Sequence, residues 1–275
     1  MQREGVPYHP RRPWYVPILN VEPIIRFLLA PPVCAVTGPR DVRDESPTKL
    51  TGTPVAADGL ASAGEVRAMG RLDGETVVPV QQIVRAAHVC IDMQNIFSKN
   101  GVWATPWMER VLPTIDAIVS RYAERTIFTR FITPERAEDR PGQWQRYFTR
   151  WDRATRQHLH DDELELVPAM ARHVPPAMVV DKPFYSAFMR SSLYDTLLEK
   201  RVATVVVSGA ETDVCVLATV LSAVDLGFRV VVVEDALCSS SDLGHDALMT
   251  MYRTRLQHQI DVVNAEQLFE LWSPE

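Results

Sequence analysis

Residues 203–216 read ATVVVSGAETDVCV. The run Val205-Val206-Val207 is apolar without alternation, which suits a strand covered on both faces, as in a parallel sheet. Just beyond it, Val214, Leu217, Val220, Leu221 and Val224 recur at helical spacing and mark one face of a helix. The stretch therefore reads as a buried strand, a short turn and an amphipathic helix. It also sets a cysteine, Cys215, at the junction of the two.

The same arrangement recurs along the chain. Strand candidates are 86–92 (AAHVCID), 125–131, 177–182, 203–209, 229–235 and 260–264, and helix candidates lie near 107–123, 143–158, 190–200, 213–226, 242–257 and 265–272. Six strand–helix alternations predict a three-layer α/β/α domain with right-handed crossovers. In such a domain, ligands bind beyond the carboxyl ends of the strands, where the strand order reverses.

The first 85 residues are different. They hold 11 of the 20 prolines and 7 of the 12 glycines, so no helix or strand period runs far in them. We divide the chain at this point, into an irregular extension (1–85) and an α/β domain (86–275). Within the extension, 37–76 reads as a polar, disordered linker. Residues 13–36 carry enough apolar side chains to dock on something, and Met69 is a second candidate start.

Composition excludes several classes of function. A formal net charge of −6 over 275 residues argues against a general binder of nucleic acid or anionic membranes. No apolar run approaches the ~20 residues that span a bilayer. The four cysteines, Cys34, Cys90, Cys215 and Cys238, form no CxxC pair. They are read as reduced thiols of a cytoplasmic protein.

Chemistry-bearing residues follow three of the strands: Asp92 in IDMQNIF, Lys182 in VDKPFYSAF and Cys215 in SGAETDVCV. Cysteine supplies a nucleophile, aspartate accepts its proton, and lysine holds a thiolate and orders the carboxylate. Thr212 is a candidate N-cap that would place Cys215 in the first helical turn, where the positive helix end and Lys182 favour a thiolate. Each residue alone has a structural reading: a strand-end cap, a solvated lysine, a core thiol. Their joint appearance at three strand ends favours a reaction centre.

The strings resemble those of the isochorismatase-like cysteine hydrolases, a family that includes nicotinamidases and N-carbamoylsarcosine amidases. Three motifs carry the resemblance: D-x-Q-N-x-F at Asp92–Phe97, K-x-x-x-S-A-F at Lys182–Phe188, and G-x-x-T-D-x-C-V at Gly209–Val216. It covers roughly residues 85–272. The resemblance implies a six-stranded, mostly parallel sheet and a triad with Cys215 as nucleophile, Asp92 as general base and Lys182 as cation. It also implies an oxyanion hole from the backbone N–H groups of Glu211 and Cys215, with a cis peptide at Ala210–Glu211. Assembly into a homo-oligomer is a further expectation, with 13–36 as a candidate contact.

The expected reaction is cleavage of a C–N bond in a small amide, carbamoyl or ureido substrate through a thioester. Candidate substrate-binding residues are Gln94, Phe97, Arg130, Trp144, Tyr185 and Phe188. Arg130 ends the second strand and suits a substrate carboxylate, or alternatively a salt bridge to an acid such as Glu135; Trp144 suits a pocket wall or helix packing. Nicotinamidases of the family carry a D-x-H metal string after the second strand. The corresponding residues are Thr129-Arg130-Phe131-Ile132-Thr133, so no metal and no other cofactor is expected. His158 and His160 read as surface residues, and Cys238 as a bystander. Two other functions remain in view: isochorismate-type vinyl ether hydrolysis, against which Cys215 weighs, and a binding module that kept the fold without turnover.

Overall fold

The computed structural model describes residues 80–273. The apolar stretch 13–36, the linker 37–76, Met69 and Cys34 therefore lie outside the described residues. Six strands form the framework: β1 (Ala86–Ile91), β2 (Thr126–Phe131), β3 (Met178–Lys182), β4 (Thr204–Ala210), β5 (Arg229–Cys238) and β6 (Ile260–Val263). All neighbours pair in parallel, in the order β3-β2-β1-β4-β5-β6. The order reverses between β1 and β4, which places the ligand crevice of an open α/β sheet beyond Ile91 and Ala210.

Seven helices accompany the strands among the described residues: α1 (Met108–Tyr122), α2 (Gln143–Arg150), α3 (Pro168–Ala171), α4 (Leu193–Glu199), α5 (Leu217–Asp225), α6 (Asp242–Thr254) and α7 (Ala265–Leu271). They cover two faces because successive strand residues point to opposite sides. Cys90, Phe128, Val206 and Val231 pack with Ile115 and Ile118 of α1, Phe148 of α2, Met170 of α3 and Leu268 of α7. On the other face, Val89, Val205, Val207 and Val232 pack with Leu197 of α4, Val220 of α5 and Tyr252 of α6. This double burial is why the strands read as unbroken apolar runs. Residues 80–85 also join the domain: Ile83 donates its N–H to Leu271 O at 2.9 Å, and Arg229 holds the carbonyls of Gln81 and Gln82.

Two helices depart from their sequence patterns. The helix expected over 143–158 stops at Arg150, because the N–H groups of Arg156 and Gln157 bond to the carbonyls of Pro134 and Glu135 instead of continuing it. The helix expected over 213–226 is α-helical only from Leu217. A single wide π turn, Thr212–Val216, precedes it and carries Cys215. π turns of this kind are common at functional sites.

Gly209 shows why β4 ends as it does. It lies opposite Ile91 on β1, with φ +109°, and an added Cβ would sit 2.1 Å from Ile91 O. Only glycine fits this close approach and this backbone conformation. The contact brings the ends of β1 and β4 together at the reversal point.

Candidate active site

Asp92 is the first residue past β1. It adopts φ +49°, an uncommon conformation for a residue with a side chain. Its backbone N–H bonds to Thr129 O at 3.2 Å, and Thr129 Oγ1 donates to Asp92 Oδ1 at 2.6 Å. Lys182 ends β3, two strands away. Its Nζ lies 2.7 Å from Asp92 Oδ2, and both side chains are fully buried. The ammonium also donates to the carbonyls of Phe184 (3.1 Å) and Tyr185 (2.9 Å), and sits 5.0 Å above the Phe131 ring. Burial works against the Lys182 charge, but the neighbouring Asp92 and Cys215 outweigh it and raise the lysine above its ordinary range.

Cys215 completes the group. Its side chain is buried, and the neighbouring Lys182 and Asp92 both act on its thiol. Burial pushes the thiol well above its usual range; Lys182 pulls it down and Asp92 pushes it up. Desolvation is the largest of these influences, and it acts against the thiolate that the helix end and Lys182 favour. A thiol beside an aspartate and a lysine is an arrangement suited to base-assisted attack.

Thr212 is not the N-cap. Its hydroxyl donates to Cys238 O at 3.2 Å and lies 2.9 Å from His245 Nδ1. The cap position is Glu211, whose backbone is extended and whose carbonyl accepts from Val214 and Val216, both at 3.1 Å, passing over Cys215 between them. The Ala210–Glu211 peptide is cis. The Glu211 carboxylate accepts from Ser240 N at 3.0 Å. Asp213 accepts a hydrogen bond from Ser239 Oγ and packs on Gly244, where a Cβ would meet its carboxylate. The T-D pair thus anchors the Cys215 turn to the segment after β5 and to α6.

An aromatic wall stands beside the thiol. Trp144 and Tyr185 approach to 4.6 Å between ring centroids, and Trp144 also meets Phe131, Tyr147 and Phe184. The Tyr147 and Tyr185 hydroxyls are both shifted up, by burial first and also by the adjacent Cys215 and Glu211. Tyr147 is absent from the sequence-derived set, although its spacing of three from Trp144 places both on one helix face. Trp103 is a second omission. It stacks on Phe97 and meets Phe131 at a tilt, and its buried indole N–H has no partner among the described residues.

Three candidate binding residues are engaged elsewhere. Gln94 is fully buried: its Oε1 accepts from Phe131 N at 2.6 Å, while its Nε2 donates to Phe131 O (3.3 Å) and Leu164 O (2.7 Å). Arg130 is held by Asp181, its register neighbour on β3, and by Glu165, not Glu135. Phe188 stacks on Phe228 at the opposite end of the sheet, where β5 begins. Phe97 reaches the aromatic wall only through Trp103. At the end of β2, Thr129, Phe131 and Thr133 offer no imidazole or carboxylate, so the residues do not fit the metal string of nicotinamidases. Among the described residues, no three of His, Cys, Asp and Glu gather as a metal-binding group, and no helix is long and apolar enough to cross a membrane.

Residues 86–267 match the family model described as the isochorismatase domain. The chain belongs to the isochorismatase family. This isochorismatase-family protein is 31% identical over 166 residues to Nicotinamidase 3 of Arabidopsis thaliana, covering 60% of this chain and 78% of that one. It is 32% identical over 88 residues to the Bacillus subtilis isochorismatase family protein PncA, covering 32% of this chain and about half of its relative's length (48%). Among solved structures, a cysteine hydrolase from Pseudomonas syringae pv. phaseolicola superposes with a TM-score of 0.59 at 22% identity, over 70% of this chain and 97% of that one. The last comparison shows the shared fold.

Proposed function

We propose that this isochorismatase-family hydrolase is a cysteine amidohydrolase that cleaves a small amide, carbamoyl or ureido compound without a metal. The observation that carries this reading is the buried Asp92–Lys182 ion pair with the buried Cys215 thiol as its neighbour. The nicotinamidase relative, an amide-cleaving enzyme by name, supports the reaction class. The donor set at the end of β2 argues against nicotinamidase chemistry that depends on a metal.

In the proposed mechanism, Asp92 takes the proton from Cys215 Sγ as sulfur attacks the carbonyl carbon. Lys182 keeps its charge throughout and favours the separated charges of this step. The oxyanion is received by the backbone N–H groups of Glu211 and Cys215. Protonated Asp92 then delivers its proton to the leaving nitrogen, the C–N bond breaks, and ammonia or an amine departs, leaving a thioester. Water loses a proton to Asp92 and adds to the thioester. The C–S bond breaks, and the proton returns to sulfur.

The test is an ammonia-release screen across small amides, ureides and carbamoyl acids, run on the wild type and Cys215→Ala together. Turnover that disappears in a folded Cys215→Ala protein is the expected result. Undiminished turnover in that variant overturns the assignment of the nucleophile.

A further inference from the structure

A cavity of about 410 Å³ opens between the segments that follow β2 and β3, and it is lined by Thr133, Arg140, Arg156 and Lys182 among others. Two of its polar groups are buried with no hydrogen-bond partner among the described residues: Thr133 Oγ1 and Arg140 Nε. Thr133 is only 1% exposed. An unpaired hydroxyl and an unpaired guanidinium N–H rarely persist in a native interior without a ligand or an ordered water.

The charges around Arg140 point to the sign of that ligand. The acidic residues of the lining are already engaged: Glu135 faces Arg156 at 3.7 Å, Asp181 holds Arg130, and Asp139 accepts from Arg136 N at 2.9 Å. Arg140 uses one terminal nitrogen on Ile132 O and stacks its guanidinium 5.5 Å over the Phe184 ring, which Arg190 approaches from 5.6 Å. Burial, then Arg156 and Arg190, weigh against its charge, with Asp139 the opposing influence. A partly buried guanidinium whose buried Nε has no partner among the described residues calls for an anion. The donors, one N–H and one O–H, match the two oxygens of a carboxylate. An oxyanion with two charges on one centre would meet the three nearby carboxylates at greater cost than a single carboxylate group does.

We propose that this cavity is a binding site for a small carboxylate, held by Arg140 Nε and Thr133 Oγ1. The site adjoins the reaction centre through Phe184, which carries the Arg140 guanidinium on its ring and accepts from Lys182 Nζ with its carbonyl. The bound carboxylate is either the substrate's own anionic end or a free effector. What the group does there rests on the cysteine-hydrolase reading; whether it binds does not.

Calorimetric titration of the full chain with succinate decides the binding. Wild type and Cys215→Ala are expected to bind alike, while Arg140→Gln and the near-isosteric Thr133→Val each weaken binding by about tenfold or more. No binding to the wild type, or binding that neither substitution changes in folded protein, overturns the proposal. Hydrolysis assays then separate the two sources. A raised KM for succinamate in Arg140→Gln, with butyramide unaffected, assigns the carboxylate to the substrate. A succinate-dependent change in wild-type butyramide hydrolysis, lost in Arg140→Gln, assigns it to an effector. Turnover that survives in Cys215→Ala sinks the hydrolase reading and leaves the titration result standing.

Discussion

The Lys182 ammonium lies 2.7 Å from the Asp92 carboxylate, and neither side chain is exposed to solvent. Removing one member of such a pair leaves the other charged and desolvated, at a cost of about 3–5 kcal/mol. Lys182→Met should therefore lower stability by this order and abolish turnover. Denaturant unfolding of the variant measures the first effect. A loss below about 1 kcal/mol would show that water reaches Asp92 when the lysine is gone.

Gly209→Ala tests the join between β1 and β4. The substitution adds a Cβ 2.1 Å from Ile91 O at φ +109°. The two strands must separate or β4 must change its backbone, and either costs about 3 kcal/mol or more. Because Asp92 follows Ile91 directly, activity should fall further than thermal stability predicts. A soluble, fully active Gly209→Ala protein would mean that the two strands part without moving the site.

Alkylation by iodoacetamide reads the protonation state of Cys215. Burial raises the thiol above its ordinary value of 9.0, so the thiolate is the minor species at neutral pH. Its fraction should grow tenfold for each pH unit from about pH 6 to 9, and labelling at Cys215, followed by peptide mass, should rise in step. A rate that is already flat near pH 7 indicates a resting thiolate. Lys182→Met, which removes the one opposing charge, should slow labelling further.

Stability should also depend on pH through a residue remote from catalysis. His88 bridges three strands, with Nε2 2.7 Å from Ser208 Oγ and Nδ1 3.2 Å from Thr126 Oγ1. Thr126 gives its proton to Tyr122 O, so the imidazole donates through Nδ1 and accepts at Nε2. Burial lowers its pKa from 6.5 to about 3. In the unfolded chain this histidine takes up a proton below pH 6.5, while in the fold it stays neutral until about pH 3. Its contribution is therefore complete above pH 6.5 and is lost as pH falls toward 3, at up to about 1.4 kcal/mol per unit. Urea unfolding at stepped pH should show a shallower acid slope in His88→Gln; parallel slopes would place the acid sensitivity elsewhere.

The parts of the molecule that the sequence announces are those set by local pattern. Strands buried on two faces leave unbroken apolar runs, and residues just past them fall at one edge of the sheet, so Asp92, Lys182 and Cys215 were identifiable one strand end at a time. Properties that depend on distant partners left no such mark. Arg130 is neutralised by Asp181, 51 residues away but adjacent across the β2–β3 register. Phe188 turns toward Phe228 at the far end of the sheet. The helix carrying Trp144 stops at Arg150 because later backbone N–H groups prefer the carbonyls of Pro134 and Glu135. The burial of the Cys215 thiol left no mark for a related reason: charges are visible in a sequence, whereas exclusion of water is a property of the whole packed site.

The Gln94 side chain behaves like a piece of main chain. It presents one acceptor to Phe131 N and one NH2 group to the carbonyls of Phe131 and Leu164, continuing the pairing of β2 after β1 has turned aside at Asp92. Glutamate has nearly the same outline but no proton to offer those two carbonyls. The position therefore selects by hydrogen count rather than by shape, and Gln94→Glu would set a negative charge against two carbonyl oxygens in a sealed interior. One amide hydrogen-bonding pattern thus lets the chain leave the ladder early enough to deliver Asp92 to its lysine.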